Sequence, residues 1–401
     1  MAVRGDTRLL DRLRALDAAD PLRGLRGAFD LPPGLIYLAG NSLGPPPKAA
    51  LIQLDRTSRE EWGRGLVGAW TDHDWIGAPG RVGDKIARLI GAGPSEVVVA
   101  DSTSANLFKL IVAALAARPE RKAVVAANGD FPTDLYTAAG AAGVLEGREL
   151  RLVDRDALDG ALDDDVALLV LTHSHYKSSE LYDMAAVNAR ARAAGVLVLW
   201  DLSHSTGVVE VDLNGSGADL AVGCGYKYLN GGPGAPAYLY VATRHQERLR
   251  SPLAGWMGHA VPFDFADGYV PAKGVRRFLC GTPPILSLSA LEAAVDVMLG
   301  ADMAAAARKA AHLGDSFLEI AAEACPALER VCPGPGERRG GHVAFRHPDA
   351  AGLCKALIAK GVIGDFRGPD VLRFGLSPLY VGFEDVGRAV AILSAAMSPV
   401  S

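Results

Sequence analysis

Seven runs of apolar residues recur through the middle of the chain, and helix-like segments separate most of them. Each run is short and strand-like, and Val196–Trp200 is unbroken, as expected for a strand of a parallel sheet that is buried on both faces. Segments with helical spacing lie between runs, for example at 106–117 and 185–194. This alternation predicts an α/β fold with a mostly parallel seven-stranded sheet and helices on both faces. The runs are Val97–Val99, Ala123–Ala126, Leu150–Val153, Val166–Leu171, Val196–Trp200, Leu220–Cys224 and Ala237–Val241.

The pattern changes after residue 285. Residues 286–324 are rich in Ala, Leu and Glu, which predicts one long helix. Strand-like runs at 342–345 and 371–374 follow, with helical patterns at 351–360 and 384–397. These elements predict a smaller α+β domain at the C-terminal end. The Gly-, Pro- and Arg-rich segment 333–341 is expected to be an exposed loop within it.

The N-terminal segment has its own pattern. Helical spacing at 9–16 predicts a helix that packs on the body of the protein or on a partner subunit. The sequence therefore predicts three parts. They are an N-terminal segment at 1–47, a large domain at 48–285 and a small domain at 286–401.

Composition narrows the class of protein. The chain has 401 residues, 49% of them hydrophobic and 22% charged, as in ordinary globular proteins. Its net charge of -5 argues against partners such as nucleic acids or anionic membranes. Five cysteines without a C-x-x-C pair indicate free thiols and a cytoplasmic location. No signal-peptide pattern is found, and no apolar run approaches the roughly 20 residues that span a bilayer.

An acid and a lysine follow two successive apolar runs. Asp201 comes directly after the run that ends at Trp200, and Lys227 lies between the next run and the glycine-rich turn 230–234. This arrangement suits pyridoxal 5′-phosphate (PLP), because the lysine can form a Schiff base with its aldehyde. The acid can pair with the pyridinium nitrogen and keep it protonated. His204, three residues after Asp201, could reach the ring or the substrate. The alternatives are a structural Asp–His hydrogen bond and an ordinary surface lysine.

Residues 101–107 follow the first strand-like run and lead into a helix. Hydroxyl and N–H groups at a helix N-terminus form a cradle for phosphate. A simple N-cap is the alternative, because Ser and Thr favour that position. Beside a Schiff-base lysine, the phosphate cradle is the favoured interpretation.

Two further strand ends carry polar or aromatic residues. Phe131, after the second run, could stack on a cofactor ring, and Asp134 could orient a polar group. An ordinary turn is the alternative there. Thr172 ends another run and is a candidate cofactor contact. The nearby His173 and His175 do not predict a metal site, because no third ligand of suitable spacing follows.

Residues 40–44 match G-x-S-x-G, the nucleophile elbow of hydrolases. That interpretation fails because the elbow follows a central strand, whereas this copy precedes the sheet and runs into three prolines. A turn that presents Asn41 is expected instead. Downstream, Trp62, Trp70 and Trp75 lie in predicted helices. One or two of them are expected in the core, and an aromatic residue such as Trp70 could also form a wall for an aromatic substrate.

Taken together, these motifs resemble the kynureninase family, a group of fold-type-I PLP enzymes related to class V aminotransferases and cysteine desulfurases. The resemblance extends from about residue 37 to residue 380. The run Tyr226–Gly234 is its most specific part. The desulfurases instead carry a histidine just before the lysine and a cysteine on a late mobile loop. The motifs that carry the resemblance are Tyr37–Gly44, Asp101–Leu107, Phe131–Asp134, Trp200–Ser205, Tyr226–Gly234, Gly255–His259 and Phe278–Ile285.

The resemblance implies a role for each matching residue. Lys227 and Tyr226 are the implied catalytic residues. Substrate binding is implied for Asn41 and Arg373. The guanidinium of Arg373 suits the α-carboxylate. A homodimer with shared active sites is also implied, with Trp256 and Thr282 reaching the phosphate from the neighbouring subunit. The implied cofactor-binding residues are Thr103, Ser104, Phe131, Pro132, Thr133, Asp134, Thr172, Asp201, His204, Tyr226, Lys227, Trp256 and Thr282.

The reaction implied by the resemblance is hydrolysis of L-kynurenine to anthranilate and L-alanine, in tryptophan degradation. 3-Hydroxy-L-kynurenine is a second possible substrate. Many family members have asparagine where Thr282 stands, and threonine favours the unhydroxylated substrate. Two alternatives stay open: another class V lyase such as a cysteine desulfurase, and a non-catalytic protein of the same fold. A thiol on the catalytic loop would support the first, and Cys332 is the loop candidate because Cys354 lies in a helical pattern.

Overall fold

The computed structural model describes residues 7–397, so the ends of the N-terminal segment and of the small domain lie outside the described residues. Its strands and helices alternate as the apolar runs predict. The strands are β1 (Ile36–Tyr37), β2 (Val97–Val99), β3 (Ala123–Ala127), β4 (Glu149–Val153), β5 (Val166–Thr172), β6 (Leu197–Asp201), β7 (Leu220–Gly223), β8 (Tyr238–Val241), β9 (Glu329–Arg330), β10 (His342–Arg346), β11 (Val362–Ile363), β12 (Asp365–Arg367) and β13 (Val371–Gly375). The helices are α1 (Thr7–Ala19), α2 (Lys48–Arg56), α3 (Gly63–Gly65), α4 (Ala69–Asp72), α5 (Ala78–Leu89), α6 (Thr103–Ala116), α7 (Pro132–Gly143), α8 (Met184–Ala193), α9 (Thr243–Gln246), α10 (Ile285–Leu299), α11 (Met303–Ala324), α12 (Ala350–Ile358) and α13 (Phe383–Met397).

The main sheet formed by the described residues has seven strands in the order β2-β8-β7-β6-β5-β3-β4. β8 is antiparallel to both of its neighbours, and the other pairs are parallel. The seven predicted strands are confirmed, because every strand-like run becomes one of these strands. Six of the strands are buried throughout, and β4 is partly exposed at the edge.

The carboxyl ends of the parallel strands bring the polar residues together. Thr172 at the end of β5 pairs in register with Asp201 at the end of β6. β7 ends at Gly223, four residues before Lys227, and β3 ends four residues before Phe131. Ligands of open α/β sheets bind at this edge. The topology therefore assembles one site from residues that are up to about a hundred positions apart.

A second sheet, of order β12-β13-β10-β9, is antiparallel. Phe317 of α11 stacks on Phe374 of β13, with ring centroids 4.9 Å apart. The single long helix predicted for 286–324 is wrong, because α10 ends at Leu299 and α11 begins at Met303. The carboxylate of Asp302 accepts hydrogen bonds from the N–H groups of the first turn of α11, so it caps a new helix.

The loop at 333–341 is only partly exposed, contrary to the prediction. Residues 335–338 face solvent, but Arg339 is buried. Its guanidinium bonds the carboxylate of Asp315 at 2.8 Å and donates to the carbonyl oxygens of Pro333 and Gly334. Composition could not predict that Arg339 is buried, because its charge is balanced by contacts within the folded loop.

The N-terminal segment is joined to the C-terminal part of the chain. β1 pairs in parallel with β11, and the carboxylate of Asp17 accepts from the N–H groups of Phe383 and Glu384 at the start of α13. The division at 47 and 285 stays a prediction. Among the helices of residues 7–397, none combines the length and apolarity required to cross a bilayer.

Candidate active site

Lys227 has a buried amine with an aromatic and histidine environment. Its Nζ lies 3.3 Å from Nε2 of His204 and 5.7 Å from the centre of the Phe131 ring. Burial, with the positive charge of Lys227 second, holds the pKa of His204 well below its usual value, so this imidazole is neutral near pH 7. The lysine is thus desolvated beside an uncharged base, as amine chemistry requires.

The loop that carries Lys227 is held by close backbone contacts. The N–H of Asn230, in the left-handed conformation at φ 57°, donates to the carbonyl of Lys227. The N–H of Gly44 donates to the carbonyl of Tyr226 at 2.8 Å. A Cβ on Gly44 would stand 2.3 Å from the carbonyl oxygen of Lys227, so a side chain cannot fit there. The G-x-S-x-G match therefore has a structural cause: the turn packs on the backbone of the lysine.

Three acids lie at the same edge of the sheet. Asp201 is buried, and its Oδ1 accepts from the N–H of Ser203 at 2.8 Å. Burial, with Asp201 second, raises the pKa of Asp134 well above its usual value, and Oδ2 of Asp134 has no hydrogen-bond partner. Burial raises the pKa of Asp130 to about 6. Two of the three carboxyl groups therefore hold a proton more readily than a free aspartic acid does.

The start of α6 forms one wall of a cavity of about 460 Å³. Ser102 is the N-cap of α6, and its Oγ accepts from the N–H of Ala105 at 3.3 Å. Thr103 and Ser104 therefore occupy the first turn, where N–H groups lack helical acceptors. Thr103 and Tyr226 line the same cavity. The N-cap and phosphate-cradle interpretations are compatible, because Ser102 caps the helix and leaves Thr103 and Ser104 available for a phosphate.

Asn41 is fully buried, and neither its Nδ2 nor its Oδ1 has a hydrogen-bond partner. A Cβ on Gly375 would lie 2.4 Å from the Asn41 amide oxygen, so β13 approaches this turn closely. Arg373, on the same strand, is fully buried. Its guanidinium donates to both carboxylate oxygens of Asp365 and to the carbonyl of Tyr176. Strand β13 therefore carries Arg373 and lies against Asn41, so it places the two substrate-binding candidates in one region.

The three tryptophans of the helical region differ in exposure. Trp75 is buried and donates to Oε2 of Glu61, whereas Trp62 is 56% exposed. Trp70 is half-buried and makes edge contacts with Trp75 and Trp256, at centroid distances of 5.6 and 6.1 Å. Trp256 is half-buried, Thr282 is exposed, and neither lines the cavity that contains Thr103 and Tyr226. Within one chain, the candidates Trp70, Trp256 and Thr282 therefore lie outside that cavity.

The sequence did not identify three residues near the site. Asp365 holds Arg373, and Arg367 contacts Asp365. His342 lies with its ring centroid 6.2 Å from that of His204 and has an unpartnered Nδ1. Burial lowers the pKa of His342 well below its usual value. These residues lie on β10 and β12, far from the lysine in sequence. The D-x-R pattern of β12 is the one signal that was available.

The polar groups present fit PLP. A buried polar atom without a partner costs roughly 1–3 kcal/mol, so a cluster of such atoms indicates a ligand. Around Lys227 the unpartnered buried atoms include Oδ2 of Asp134, Oγ1 of Thr172 and Nδ1 of His204. An amine, a ring-facing phenylalanine and a helix N-terminus complete a set that matches the aldehyde, ring and phosphate of this cofactor.

The fold and the site define a fold-type-I PLP-dependent enzyme. A mutant of C-DES solved with glycine covalently linked to its PLP cofactor has a TM-score of 0.81 at 15% identity, covering 92% of this chain and 98% of that one. A cysteine desulfurase from Thermococcus onnurineus has a TM-score of 0.78 at 19% identity, covering 93% and 97%. At these identities the likeness shows the shared fold.

Closer relatives give the family. The kynureninase of Deinococcus radiodurans is 49% identical over 397 residues, covering 97% of this chain and 96% of the relative. That of Burkholderia mallei is 47% identical over 387 residues, covering 94% and 93%. The family model of the kynureninase C-terminal domain matches residues 307–393. The chain belongs to the kynureninase family, and its cofactor is PLP.

The cysteines do not favour the desulfurase alternative. All five are unpaired within residues 7–397. Cys332, the loop candidate, is buried, and burial raises the pKa of its thiol. Cys354 lies in α12 and is also buried. A nucleophilic cysteine requires a lowered pKa and access, and neither residue has them.

Proposed function

We propose that this enzyme hydrolyses L-kynurenine, and more weakly 3-hydroxy-L-kynurenine, in tryptophan degradation. The reaction breaks the Cβ–Cγ bond and consumes one water. The hydroxyl of the water goes to the acyl carbon and gives anthranilate, while a proton goes to Cβ and gives L-alanine. The observation that supports this most directly is the buried Lys227 amine at a strand-end site in a chain 47–49% identical to named kynureninases.

Bound PLP supplies an electron sink that spreads the negative charge left on the amino acid when its bonds break. The residues of the chain then divide the remaining tasks. Asp201 would keep a proton on the pyridine nitrogen. Phe131 would cover the ring, with Pro132, Thr133, Asp134 and Thr172 close to it. Thr103, Ser104 and Tyr226 bind the phosphate through hydroxyl and N–H groups. His204, whose Nε2 lies 3.3 Å from Nζ of Lys227, would sit beside Asp201 at the ring.

Lys227 and Tyr226 move the protons. The Nζ of Lys227 takes the proton from the substrate Cα and returns it at the end of the cycle. Burial raises the pKa of Tyr226 above its ordinary value, so its hydroxyl stays protonated and can donate to Cβ. Asn41 and Arg373 bind the amino-acid end of the substrate, and Trp70 is the candidate wall for its aromatic ring.

We also propose a cytoplasmic homodimer in which Trp256 and Thr282 complete the phosphate site of the partner. This accounts for their position outside the cavity of their own chain. Exposed aromatic residues beside Trp256 support it: Phe263 is 55% and Phe265 is 75% exposed. The ring of Phe263 contacts both Trp256 and Phe265, at centroid distances of 5.9 and 6.2 Å, and a contiguous exposed apolar patch favours a partner.

The direct test is to mix the yellow holoenzyme with L-kynurenine and record the fluorescence of anthranilate. A stoichiometric pair of anthranilate and L-alanine supports the proposal. Absence of both products from protein that carries bound cofactor refutes it. Release of sulfide from L-cysteine in a parallel assay would favour the desulfurase alternative. Comparison with 3-hydroxy-L-kynurenine in the same assay measures the expected preference for the unhydroxylated substrate.

A further inference from the structure

Two arginines share one carboxylate in the strand pair β12–β13. Asp365 pairs in register with Arg373, and Arg367 lies two positions after Asp365 on the same face. The Nε and Nη2 atoms of Arg373 donate to the two Asp365 oxygens at 2.8 and 2.5 Å. Nη2 of Arg367 stands 3.4 Å from Oδ2 of Asp365. The strand pairing therefore places two cations around a single acid.

This group of three carries one positive charge in excess. Burial, with the charge of Arg373 second, lowers the pKa of Arg367, although Asp365 acts in the opposite direction. The titratable groups that face it do not supply the missing anion. His204 and His342 are neutral, and the hydroxyl of Tyr226 keeps its proton because its pKa is raised. A partly buried pair of guanidinium groups with only one balancing carboxylate can bind a second anion.

The pair extends from the interior to the cavity. Arg373 is fully buried, whereas the side chain of Arg367 is 36% exposed. Nη2 of Arg367 donates to Oγ of Ser42 at 3.3 Å. Ser42 lines the cavity that contains Tyr226 and Thr103, and it follows Asn41 with its unpartnered amide. Arg367 is thus the member of the pair that contacts the cavity wall.

Arg373 alone has few donors left for a substrate. A guanidinium has five N–H groups. Two of those on Arg373 bond Asp365 and a third bonds the carbonyl of Tyr176. Its Nε edge, one of the edges that can bind a carboxylate in two-point fashion, is occupied by Asp365. A second cation is therefore needed for strong recognition of a free carboxylate.

We propose that Arg367 is a second residue that binds the α-carboxylate of the amino-acid substrate, together with Arg373, and that Asp365 positions both guanidinium groups. The inference rests on the proposed function for the identity of the substrate. An arriving carboxylate gives two cations and two anions, so the excess charge disappears. The arrangement selects amino acids over the corresponding amines, because only the former carry the balancing charge.

The test compares L-alanine with L-alaninamide, which has the same shape without the carboxylate charge. Binding of each to the holoenzyme is followed through the absorbance of the cofactor. The Kd of L-alaninamide divided by the Kd of L-alanine measures carboxylate recognition. In Arg367→Gln we expect this ratio to fall by about tenfold or more, as for loss of one charge-assisted hydrogen bond. Arg367→Lys, which keeps the charge without the planar fork, should lie between. Arg346→Gln, an exposed arginine of the same sheet, is the matched control.

Kinetics give a second readout. Arg367→Gln should raise KM for L-kynurenine more than it lowers kcat, and its cofactor absorbance should equal that of wild type. A Kd ratio in Arg367→Gln equal to that of wild type overturns the inference. If Arg367→Gln does not fold, a wild-type ratio in Arg367→Lys overturns it equally. Because the alanine comparison requires no C–C cleavage, a wild-type protein that releases no anthranilate refutes the proposed function and leaves this result interpretable.

Discussion

At the scale of single residues, Lys227 is the simplest position to isolate. Replacement by alanine shortens a side chain that faces a site, so the fold should be retained. We expect Lys227→Ala to lose both the absorbance band of the lysine-bound cofactor and turnover, because the substitution removes the amine that binds the aldehyde. Absorbance spectra with added PLP check the cofactor band, and a far-UV circular dichroism spectrum checks the fold. Lys360→Ala, at an exposed position, should behave as wild type. A Lys227→Ala protein that keeps the band would refute the assignment.

Asp130 predicts a pH dependence of stability. Its pKa is about 6 in the folded protein and about 3.9 in an unfolded chain. Below about pH 4 the group is protonated in both states and costs nothing. As the pH rises to about 6 the unfolded chain releases this proton more readily, so the free energy of unfolding falls. Above that pH the loss is complete, at roughly 3 kcal/mol for a shift of about two units.

Asp130→Asn should remove this loss, because the amide oxygen can still accept from the N–H of Thr172 but carries no charge. Relative to wild type, the variant should gain up to about 3 kcal/mol of stability between about pH 4 and about pH 7. Urea unfolding of both proteins without added cofactor measures the difference. A difference that is independent of pH would show that Asp130 is ionised freely in the folded state.

Residues of the site were predictable where chemistry and position coincide in sequence. Asp201, Thr172, Phe131 and Lys227 each follow an apolar run, so the expected edge of the sheet identifies them as candidates. Asp365 gives no such signal, because its role depends on pairing with Arg373 across two strands. The unpartnered amide of Asn41 is likewise a property of packing and not of its neighbours in the chain.

At the scale of elements, the turn at residues 40–44 fixes the lysine loop. Gly44→Ala places a methyl group against the carbonyl oxygen of Lys227, which cannot move without shifting the lysine. We expect a loss of about 1–3 kcal/mol in stability, as for overpacking, and a larger loss of turnover. Gly27→Ala is the control, because a Cβ there has no neighbour within 4 Å. Its stability should stay within about 0.5 kcal/mol of wild type. Urea titration and the anthranilate assay distinguish the two, and equal behaviour would contradict the close contact.

The elements that the sequence predicted are those with enough residues to show a helical period or a run of apolar residues. Most runs of the main sheet are detected because burial on both faces requires continuous apolar residues. β1, β9 and β11 have two residues each and show no period. The break between α10 and α11 was missed because its signal is local. Gly300 and the capping Asp302 interrupt a composition that is helical on both sides.

At the scale of the whole molecule, shared active sites can be tested by mixing two inactive chains. Lys227→Ala lacks the amine, and Trp256→Ala lacks the proposed cross-subunit contact. In a hybrid dimer, one site receives Lys227 from one chain and Trp256 from the other. We therefore expect unfolding and refolding of the mixture to restore activity that neither variant has alone. If Trp256 served its own chain, every hybrid site would lack one residue and mixing would restore nothing.

The pairing of β1 with β11 also governs how the enzyme is made. Residues 36–37 leave the ribosome more than three hundred residues before their partners at 362–363. At about 5–20 residues per second, the N-terminal strand waits tens of seconds for its partner. The Asn41 turn waits equally long for Gly375. A nascent chain can therefore form the lysine loop but not the closed site, so loading of the cofactor into a complete pocket follows translation. A chain truncated before residue 362 keeps Lys227 and still cannot complete the enzyme.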